Sequence, residues 1–279
     1  MLRTRRFDDW RRQTGISESV LADRLRDLVR DGVLARVPVA GGARHEYRLT
    51  PQGLELWALL VAIWAWENRW AATAARIQPD LRHLDCGASI MPQLVCGGCG
   101  EPVEVRDLST EIAPVESFRF GAAPRFRRRS TRGHEPSAPE LLMPETIALI
   151  GDRWSTLVLG AAMLGRRRFS EFERDLGISP TLLSDRLSRF VALDVLRRTA
   201  PSDNYRLTKK GGAVFPVFAL LIAWGDRWFP APGGPPILST HLRCGQPLDP
   251  RLGCDMCGAL LERRRVRFEP RAAGARLEA

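Results

Sequence analysis

Residues 5–29 read RRFDDWRRQTGISESVLADRLRDLV, and residues 167–191 read RRFSEFERDLGISPTLLSDRLSRFV. The match extends over residues 6–36 at an offset of 162 and resumes over residues 47–99 at an offset of 158. The offsets change after Val37, where VPVAGGARHE of the first copy faces the shorter TAPSDN of the second. Such length variation is typical of a surface loop. The chain is therefore a tandem duplication, and each copy helps to interpret the other.

Each copy predicts two helices, a hairpin and a further helix. In the first copy these are a short helix Phe7–Gln13, a helix Glu18–Arg30 with Ser17 as N-cap, strands Val33–Val37 and His45–Leu49 around a Gly41–Gly42 turn, and a helix from Pro51 to Trp70. The second helix carries an apolar stripe of Leu21, Leu25, Leu28 and Val29, so its other positions face solvent. The last helix is apolar over most of its circumference, which predicts that something besides its own small domain covers it.

The order helix, turn, helix and two-stranded wing is that of DNA-binding domains that place one helix in the major groove. Five motifs occur in order in both copies, namely RRF, GIS, LxxRL, YRLT and WxxRW, and the second copy adds IGDRW at Ile150–Trp154. Together they resemble the HxlR family of winged-helix transcriptional regulators over residues 6–70 and 144–229. The resemblance implies sequence-specific DNA binding, with the first and last helices of each domain used for dimerisation.

The predicted fold class is α+β, mainly α, with two winged helix-turn-helix domains that are each followed by a small zinc ribbon. The predicted boundaries are 1–72 for winged helix 1, 78–107 for zinc ribbon 1, 108–143 for a basic, proline-rich linker, 144–230 for winged helix 2, 237–268 for zinc ribbon 2 and 269–279 for a tail. We expect disorder from Glu262 to the end because that stretch is rich in arginine. Linker and tail would add nonspecific attraction to phosphates.

The first copy lacks a helix that the second copy has. Glu145–Leu164 predicts a helix before the second RRF motif, whereas Met1 aligns with Met163 inside that helix. Its absence would leave apolar faces of the first copy partly uncovered, at Val20, Leu21, Leu28 and Trp57. Two explanations stay open. We favour a start site placed too far downstream, or a truncated chain; in the other, a separate element covers the first copy.

All six cysteines fall into two sets of identical spacing, His83-x2-Cys86-x9-Cys96-x2-Cys99 and His241-x2-Cys244-x9-Cys254-x2-Cys257. Two ligands separated by two residues bend around one metal ion, and a glycine follows four of the cysteines, at Gly87, Gly100, Gly245 and Gly258. One histidine and three cysteines complete a tetrahedron, so we predict two structural zinc ions, one for each set. Disulfides are the alternative, but three cysteines cannot all pair within one module, and we find no export signal.

The predicted DNA contacts come from three places in each copy. Arginines before the first helix would bind phosphates, the start of the second helix would read bases, and the hairpin would meet the neighbouring groove. The residues are Arg5, Arg6, Ser17, Glu18, Ser19, Ala22, Asp23, Arg24, Arg44 and Arg48 in the first copy, and Arg167, Arg168, Ser179, Thr181, Ser184, Asp185, Arg186, Asn204, Arg206 and Lys209 in the second. Because the base-reading positions differ between the copies, we predict an imperfect inverted repeat. Arg24 and Arg186 lie between core leucines and could instead pair with acidic neighbours.

Tryptophans at helical spacing predict a dimer interface, formed by Trp57, Trp64, Trp66, Trp224 and Trp228, although an aromatic ligand pocket is an alternative. Tandem linkage raises the effective concentration of two modules to about millimolar. We therefore expect either an intrachain pseudo-dimer or a homodimer. The sequence identifies no small-molecule effector.

Composition sets the class of protein. With 279 residues, 44% hydrophobic and 27% charged, the chain has the balance of a soluble globular protein. The net charge of +10 favours an anionic partner, double-stranded DNA rather than a membrane, although the excess of arginine over lysine could also reflect codon usage. No apolar run reaches the roughly 18 to 20 residues of a membrane span, so we expect a cytoplasmic protein.

We predict no enzymatic activity, because the sequence has no phosphate-binding glycine loop, open metal site or Ser/His/Asp arrangement. Two alternatives to a plain DNA-binding regulator stay open. One is a redox switch that acts through the zinc thiolates. The other is a module that recruits a protein partner, with DNA contact secondary.

Overall fold

The computed structural model describes residues 4–39, 44–71, 78–112 and 143–270. They form two compact units, one with residues 4–39 and 44–57, the other with residues 58–71, 78–112 and 143–270. The division falls at the start of the first copy's last helix, whereas the sequence placed it between residues 72 and 78. The Gly41–Gly42 turn, residues 113–142 of the predicted linker and residues 271–279 of the tail lie outside the described residues.

The elements follow the duplication. The first copy has α1 (Phe7–Thr14), α2 (Glu18–Arg30), β1 (Leu34–Pro38), β2 (His45–Leu49), α3 (Pro51–Glu55), α4 (Trp57–Trp70), β3 (Asp80–His83), β4 (Ser89–Ile90), β5 (Gln93–Cys96) and β6 (Leu108–Ile112). The second has α5 (Pro144–Ile150), α6 (Arg153–Met163), α7 (Phe169–Leu176), α8 (Pro180–Ala192), β7 (Leu196–Thr199), β8 (Asn204–Leu207), α9 (Lys209–Gly212), α10 (Phe215–Trp228), β9 (Ile237–His241), β10 (Gln246–Pro247), β11 (Pro250–Gly253) and β12 (Val266–Glu269). Within the described ranges, no helix has the length and hydropathy to cross a bilayer.

Two helices that the sequence predicts as continuous are each broken. The helix expected from Pro51 onward is α3 followed by α4, and the helix expected over Glu145–Leu164 is α5 followed by α6. The second break has a local cause. The Asp152 side chain accepts hydrogen bonds from the backbone N–H groups of Trp154 and Ser155, both at 3.0 Å, and so caps a new helix.

The first winged helix buries one face of α2 against its hairpin. Leu21 and Leu25 are almost fully buried and pack with Leu34 of β1. Leu28 belongs to the same predicted stripe but is 40% exposed. That prediction was wrong because α6, which packs on the equivalent helix α8, has no counterpart among the first copy's described residues.

The two cysteine-rich segments form one intertwined β unit. Strand β5 pairs antiparallel with β11, its own counterpart, and Leu94 stands opposite Leu252, the residue that corresponds to it at the offset of 158. A local pseudo-twofold axis therefore passes through this pair. Around the axis, β12 pairs with β3 and β6 pairs with β9, so the last strand of each copy joins the first strand of the other.

Two stretches predicted to be irregular contain strands. Strand β6 occupies the first residues of the predicted linker 108–143, and β12 lies within the stretch predicted to be disordered from Glu262. Each strand is an edge strand of a sheet whose neighbouring strand belongs to the other copy. Local composition could not show this pairing, because the partner strand is more than 100 residues away in sequence.

The apolar helix α4 is covered by elements outside its own winged helix. The Nε1 atom of Trp64 donates to the carbonyl of Pro79 at 3.1 Å, and its ring packs edge-on against Phe268 of β12 with centroids 5.3 Å apart. The Nε1 atom of Trp66 donates to the carbonyl of Lys210 at 3.1 Å. The cover that the sequence requires for this helix thus comes from the β unit and from the second copy.

Candidate nucleic-acid interface and metal clusters

Most of the predicted DNA-contact residues are exposed. They are Arg5, Arg6, Ser17, Glu18, Ser19, Asp23, Arg24, Arg44 and Arg48 in the first copy, and Arg168, Ser179, Thr181, Ser184, Asp185, Arg206 and Lys209 in the second. The remainder are partly buried, namely Ala22, Arg167, Arg186 and Asn204. The first turns of α2 and α8 therefore present polar side chains to solvent, as a helix that enters a DNA groove must.

The basic stretch before the first helix of the motif is tied to the wing in both copies. The backbone N–H of Tyr47 donates to the carbonyl of Arg5 at 2.8 Å, and that of Tyr205 donates to the carbonyl of Arg167 at 2.8 Å. Burial, followed by the nearby charge of Arg206, lowers the pKa of Arg167. A phosphate between these two like charges would relieve their repulsion, because it attracts both guanidinium groups.

A carboxylate partly neutralises the first wing. Glu46 lies on β2, with an oxygen 3.2 Å from Nη2 of Arg48 and 3.9 Å from Nη1 of Arg5. On the facing strand, Nη2 of Arg36 lies 3.3 Å from Nδ1 of His45. Two of the predicted phosphate-binding arginines thus already have an acidic partner.

The second wing lacks that carboxylate. At the position of Glu46 it has Asn204, whose Oδ1 atom is buried and has no hydrogen-bond partner among the described residues. The neighbouring Arg206 is exposed, and the described part of the chain offers it no ion pair. Arg198 pairs with Asp203 at 3.0 Å nearer the tip of this hairpin. In the described chain Arg206 therefore has no paired carboxylate, whereas Arg48 in the first wing is paired with Glu46.

The starts of the two recognition helices also differ in chemistry. In the first copy, Glu18 begins α2 and lies 3.4 Å from the guanidinium of Arg11. In the second copy, the equivalent position is Pro180, and it is followed by the hydroxyl groups of Thr181 and Ser184. The two helices would consequently present different hydrogen-bonding groups to base edges.

Arg186 is placed differently from the exposed candidates. Its side chain is only 16% exposed and lies 2.5 Å from Asp185 and 3.5 Å from Asp152. It therefore holds the start of α6 against α8, which is the pairing with acidic neighbours that the sequence left open. Its counterpart Arg24 is exposed.

The cysteines and the two buried histidines form two clusters. Cluster A is His83, Cys86, Cys254 and Cys257, and cluster B is Cys96, Cys99, His241 and Cys244. Within each cluster, one ligand atom from every residue lies within 4.8 Å of the others. In both, the nitrogen that faces the sulfur atoms is Nδ1 of a fully buried histidine.

The spacing of the ligand atoms suits a tetrahedral ion. Distances between sulfur atoms are 3.9 Å for Cys86 and Cys254 and 4.0 Å for Cys96 and Cys244. Distances from sulfur to the histidine Nδ1 atoms lie between 3.3 and 3.5 Å. Zinc bonds of about 2.3 Å to sulfur and about 2.0 to 2.1 Å to nitrogen give tetrahedral edges of roughly 3.8 and 3.5 Å. The agreement means that either cluster could hold a metal ion with little movement.

The eight residues that the sequence predicts as metal ligands all lie in these two clusters, but the predicted grouping was wrong. It placed both knuckles of one copy around one ion, whereas each cluster takes the His-x2-Cys knuckle of one copy and the Cys-x2-Cys knuckle of the other. The physical reason is the nine-residue spacer. In the first copy this spacer forms β4 and most of β5 and does not fold back, and β5 pairs with its counterpart across the pseudo-twofold axis. The second knuckle is thereby carried to the other copy.

Four glycines close the knuckles. Each follows a cysteine, has a left-handed backbone with φ between 69° and 77°, and donates its N–H to the carbonyl of the first ligand of its knuckle. For example, Gly87 donates to His83 at 2.9 Å and Gly100 donates to Cys96 at 2.7 Å. A side chain would strain this conformation, which explains why glycine recurs after Cys86, Cys99, Cys244 and Cys257.

The two clusters differ in the contact behind the histidine. In cluster A, Nε2 of His83 lies 3.2 Å from a carboxylate oxygen of Asp85, and Asp85 also pairs with Arg265. In cluster B, Nε2 of His241 is buried without a hydrogen-bond partner in the described chain. The position of Asp85 is occupied there by Arg243, which pairs with Glu101 instead. A carboxylate behind a ligating histidine orients the ring and strengthens it as a ligand.

The surroundings of one thiol in cluster A lower its pKa. The backbone N–H of Ala88 is the largest influence on Cys86 and lowers its pKa to about 7, with a further contribution from His83. Burial acts in the other direction on Cys254 and raises the pKa of that thiol. Metal ligation requires the thiolate, so the surroundings of Cys86 favour ligation more than those of Cys254 do.

The predicted interface tryptophans divide into two groups. Trp64 and Trp66 are almost fully buried where α4 meets the β unit and the second copy. Trp57, Trp224 and Trp228 are only partly buried. The ring of Trp224 packs edge-on against Phe229 with centroids 5.4 Å apart.

Sequence reasoning missed a buried carboxylate beside these tryptophans. Glu67 on α4 is fully buried and accepts hydrogen bonds from the backbone N–H groups of Glu145 and Thr146, at 3.1 and 2.9 Å, at the start of α5. It also accepts from the Thr146 hydroxyl at 2.5 Å. Lys210 completes the group by pairing with Glu145 at 2.6 Å and lying over the Trp66 ring. The available signal was a glutamate close to the end of a helix whose preceding ten residues are all apolar.

A family model described as HxlR-like helix-turn-helix matches residues 1–75 and 149–232. The chain belongs to this family. The HTH-type transcriptional regulator MT3179 of Mycobacterium tuberculosis, itself named as uncharacterized, is 41% identical over 129 residues, which cover 44% of this chain and 82% of the relative. YodB of Bacillus subtilis, also an HTH-type transcriptional regulator, is 35% identical over 92 residues, 31% of this chain and 82% of YodB.

A crystal structure of quinone-bound YodB is similar at 32% identity, covers 30% of this chain and 96% of that one, and superposes with a TM-score of 0.28. That overall likeness is too low to support an argument about arrangement. The family matches and the relatives' names show that this HxlR-like chain is a DNA-binding transcriptional regulator built from a tandem duplication. Regulators of this class are not normally enzymes.

Proposed function

We propose that this HxlR-like regulator reads an imperfect inverted repeat, with α2 on one half-site and α8 on the other. The observation that carries the proposal is the pair of exposed recognition helices whose first turns differ, Glu18 and Ser19 against Pro180 and Thr181. Two copies that present different groups to base edges select different sequences. The phosphate contacts would come from the arginines before α1 and α7 and from the two wings.

The two half-sites would contribute unequally to affinity. Arg206 lies beside Arg167 with no carboxylate paired to it in the described chain, whereas Arg48 and Arg5 share Glu46. Each basic group that neutralises a phosphate releases counterions and strengthens binding. We therefore infer that the second copy supplies most of the electrostatic affinity.

The contacts of α4 support an intrachain pseudo-dimer. Glu67 caps α5 of the second copy, and Trp66 is buried against Lys210 of α9. These contacts join the last helix of one copy to the second copy of the same polypeptide. A regulator linked in this way would bind both half-sites as a single chain, within the cytoplasm where bacterial DNA lies.

Zinc is the ion that we propose for both clusters. Three thiolates and one imidazole in a tetrahedron are a structural zinc set, and all four positions are supplied by protein. Because each set draws ligands from both copies, the two ions would crosslink the copies within the β unit. Their role would be structural, since no position stays open for a catalytic water.

Footprinting on the DNA upstream of the regulator's own coding sequence would test the operator. We expect protection over two half-sites of related but unequal sequence, and affinity for that DNA should fall steeply as salt rises. The matched control is a duplex of the same length with both half-sites scrambled. Equal affinity for the two duplexes would contradict the operator proposal and favour a module whose main partner is a protein. Loss of operator binding on peroxide treatment, with zinc release and recovery under reduction, would favour the redox alternative.

A further inference from the structure

A cleft of about 230 Å³ lies beside the C-terminal half of α4, within the unit formed by residues 58–71, 78–112 and 143–270. Its lining includes two tryptophans, two further apolar residues and one charge of each sign, namely Trp66, Trp70, Met91, Pro92, Arg69 and Asp255. None of these six belongs to the proposed DNA contacts or to the Cys/His clusters. Aromatic walls with a few charged or polar groups are typical of sites that bind small molecules.

Both copies contribute to this cleft. The first copy supplies one side of α4 and the turn between β4 and β5, and the second supplies Ala213, just after α9, and Asp255, within the Cys-x2-Cys knuckle of cluster A. A carboxylate oxygen of Asp255 accepts a hydrogen bond from the backbone N–H of Met91 at 3.2 Å, which joins the two copies at the cleft. A ligand in the cleft would therefore contact both copies at once.

The duplication does not repeat the chemistry of this cleft. At the offset of 158 residues, Met91 corresponds to Asp249 and Asp255 corresponds to Gly97. Asp249 pairs with Arg251 at 3.0 Å, and its carboxylate lies so close to Gly97 that a side chain there would collide with it. Where the cleft has an apolar side chain, the duplicated surface thus has a charged pair that fills the space next to Gly97.

The charges around the two indole rings decide the charge of the ligand. Aromatic rings beside a carboxylate could bind a cation, because cations are attracted to ring faces. Here both rings already have one. The guanidinium carbon of Arg69 lies 5.8 Å from the centre of the Trp70 ring, and Nζ of Lys210 lies 5.7 Å from that of Trp66. A cationic ligand would lie beside both of these positive charges, whereas an anion would be attracted to them.

Arg69 is the group that would bind the anion. Lys210 is already paired with Glu145 at 2.6 Å. Arg69, in contrast, is exposed and makes no ion pair with any carboxylate in the described ranges, that of Asp255 included. A guanidinium group can bind a carboxylate through two parallel hydrogen bonds, which give both affinity and orientation.

We propose that this cleft binds a small aromatic carboxylate, with its ring against the two tryptophans and its carboxylate on Arg69. An apolar cavity of roughly 150 Å³ accepts benzene, so about 230 Å³ suits one substituted ring or two fused rings. Contact with an indole and with the thioether of Met91 favours a planar aromatic ligand over an aliphatic one of the same charge. No residue in the lining is a cysteine, so binding would be noncovalent.

Three indole derivatives of similar size and different charge serve as probes, namely indole-3-acetate as the anion, indole-3-acetamide as the neutral compound and tryptamine as the cation. Saturation-transfer difference NMR on the full-length chain with zinc measures the affinity of each in the absence of DNA. We expect indole-3-acetate to bind saturably and the other two to bind at least tenfold more weakly, because neither has a carboxylate for Arg69. Indole-3-acetate should also raise the unfolding temperature, since it would bind only the folded protein.

Variants of the protein locate the binding site. Arg69→Gln should weaken binding of indole-3-acetate at least tenfold, whereas Arg227→Gln, the same change at the duplicated and also exposed position of α10, should leave it unchanged. Met91→Asp is a second variant of the cleft, in which a new carboxylate would repel that of the ligand. The matching position already carries a carboxylate in Asp249, and circular dichroism shows whether each variant is folded.

Three results would overturn the proposal. The first is the absence of saturable binding of indole-3-acetate up to about 2 mM, a concentration at which even a millimolar complex would be detected. The second is equal or tighter binding of indole-3-acetamide or tryptamine, which would leave Arg69 without a role. The third is binding of indole-3-acetate that survives both Arg69→Gln and Met91→Asp, which would place the ligand elsewhere. None of these measurements involves DNA, so their failure is separate from failure of the operator proposal.

Discussion

Removing two cysteines should cost this protein one metal ion or both, depending on which two are removed. Cys86 and Cys254 belong to different copies but to the same cluster A, whereas Cys86 and Cys99 belong to the same copy but to different clusters. The double variant Cys86→Ser with Cys254→Ser should therefore lose one ion and keep the other in an intact cluster B. The double variant Cys86→Ser with Cys99→Ser should leave both clusters with three ligands.

The size of the difference follows from the ligand count. A structural zinc site in a small domain supplies about 10 to 16 kcal/mol of apparent binding free energy, and it depends on the complete set of ligands. With two of four ligands gone, cluster A cannot hold zinc against a chelator, while the four ligands of cluster B remain. The first variant should retain one zinc ion per chain under a chelator challenge that leaves the wild type with two. The second variant should retain none.

The measurement is the number of zinc ions per chain. Each variant is dialysed against a series of chelator concentrations, and the zinc that remains is counted by inductively coupled plasma mass spectrometry. The two variants lack the same number of cysteines, so each controls for nonspecific loss of thiols. If each copy instead held its own ion, the outcomes would be reversed, because Cys86 and Cys99 would then share one site. One retained ion in the Cys86 and Cys99 variant would thus refute the exchanged arrangement.

Three further changes test other parts of the molecule. Asp85→Asn should weaken zinc binding at cluster A by about 10- to 100-fold and leave cluster B unchanged, because of the two cluster histidines only His83 has a carboxylate behind it. Competition with a chelator measures the affinity of each cluster, and equal weakening of both would contradict the prediction. Arg206→Ala should lower operator affinity and reduce the slope of log affinity against log salt concentration by about one. Arg48→Ala should lower the affinity less, because Glu46 already pairs with Arg48. Anisotropy titrations at several salt concentrations measure both variants, and equal losses would count against the unequal half-sites. Glu67→Ala should lower the free energy of unfolding by about 1 to 3 kcal/mol, because it leaves buried N–H groups of α5 without an acceptor. Glu67→Gln should lower it less, because the amide oxygen can still accept; urea unfolding measures both variants, and an unchanged free energy for Glu67→Ala would contradict the prediction.

The winged helices could be predicted from sequence because their information is local. The bounds of α2 and β2 match the predicted ones at both ends, since a helical stripe and a strand-forming run lie within the segments themselves. Ser17 occupies the N-cap position of α2, although its side chain makes no capping hydrogen bond. The exposure of most of the predicted DNA-contact residues follows from the same periodicity. The two broken helices show the limit of interpreting a sequence by its periodicity. The apolar pattern runs on through the break between α5 and α6, so it gave no reason to interpret Asp152 as the N-cap of a new helix.

The metal clusters show what spacing alone cannot decide. The motif His-x2-Cys-x9-Cys-x2-Cys predicts which residues could bind a metal ion, but it does not say whether the spacer folds back or runs across an axis. That choice depends on the pairing of β5 with β11, which are about 150 residues apart. Strands β6 and β12 depend on pairings of the same long-range kind, so contacts between the copies account for the wrong grouping, for the strand in the predicted linker and for the strand in the stretch predicted to be disordered from Glu262.

The duplication explains why the important differences lie at matched positions. Glu67 caps a helix of the second copy, and its counterpart Gly225 has no side chain with which to cap another. Asp85 lies behind the histidine of cluster A, and at the matching position Arg243 pairs with Glu101 instead. In a symmetric homodimer a single substitution changes both halves at once. Within one polypeptide each half can change alone, so one recognition helix or one Cys/His cluster can diverge while its counterpart keeps its chemistry.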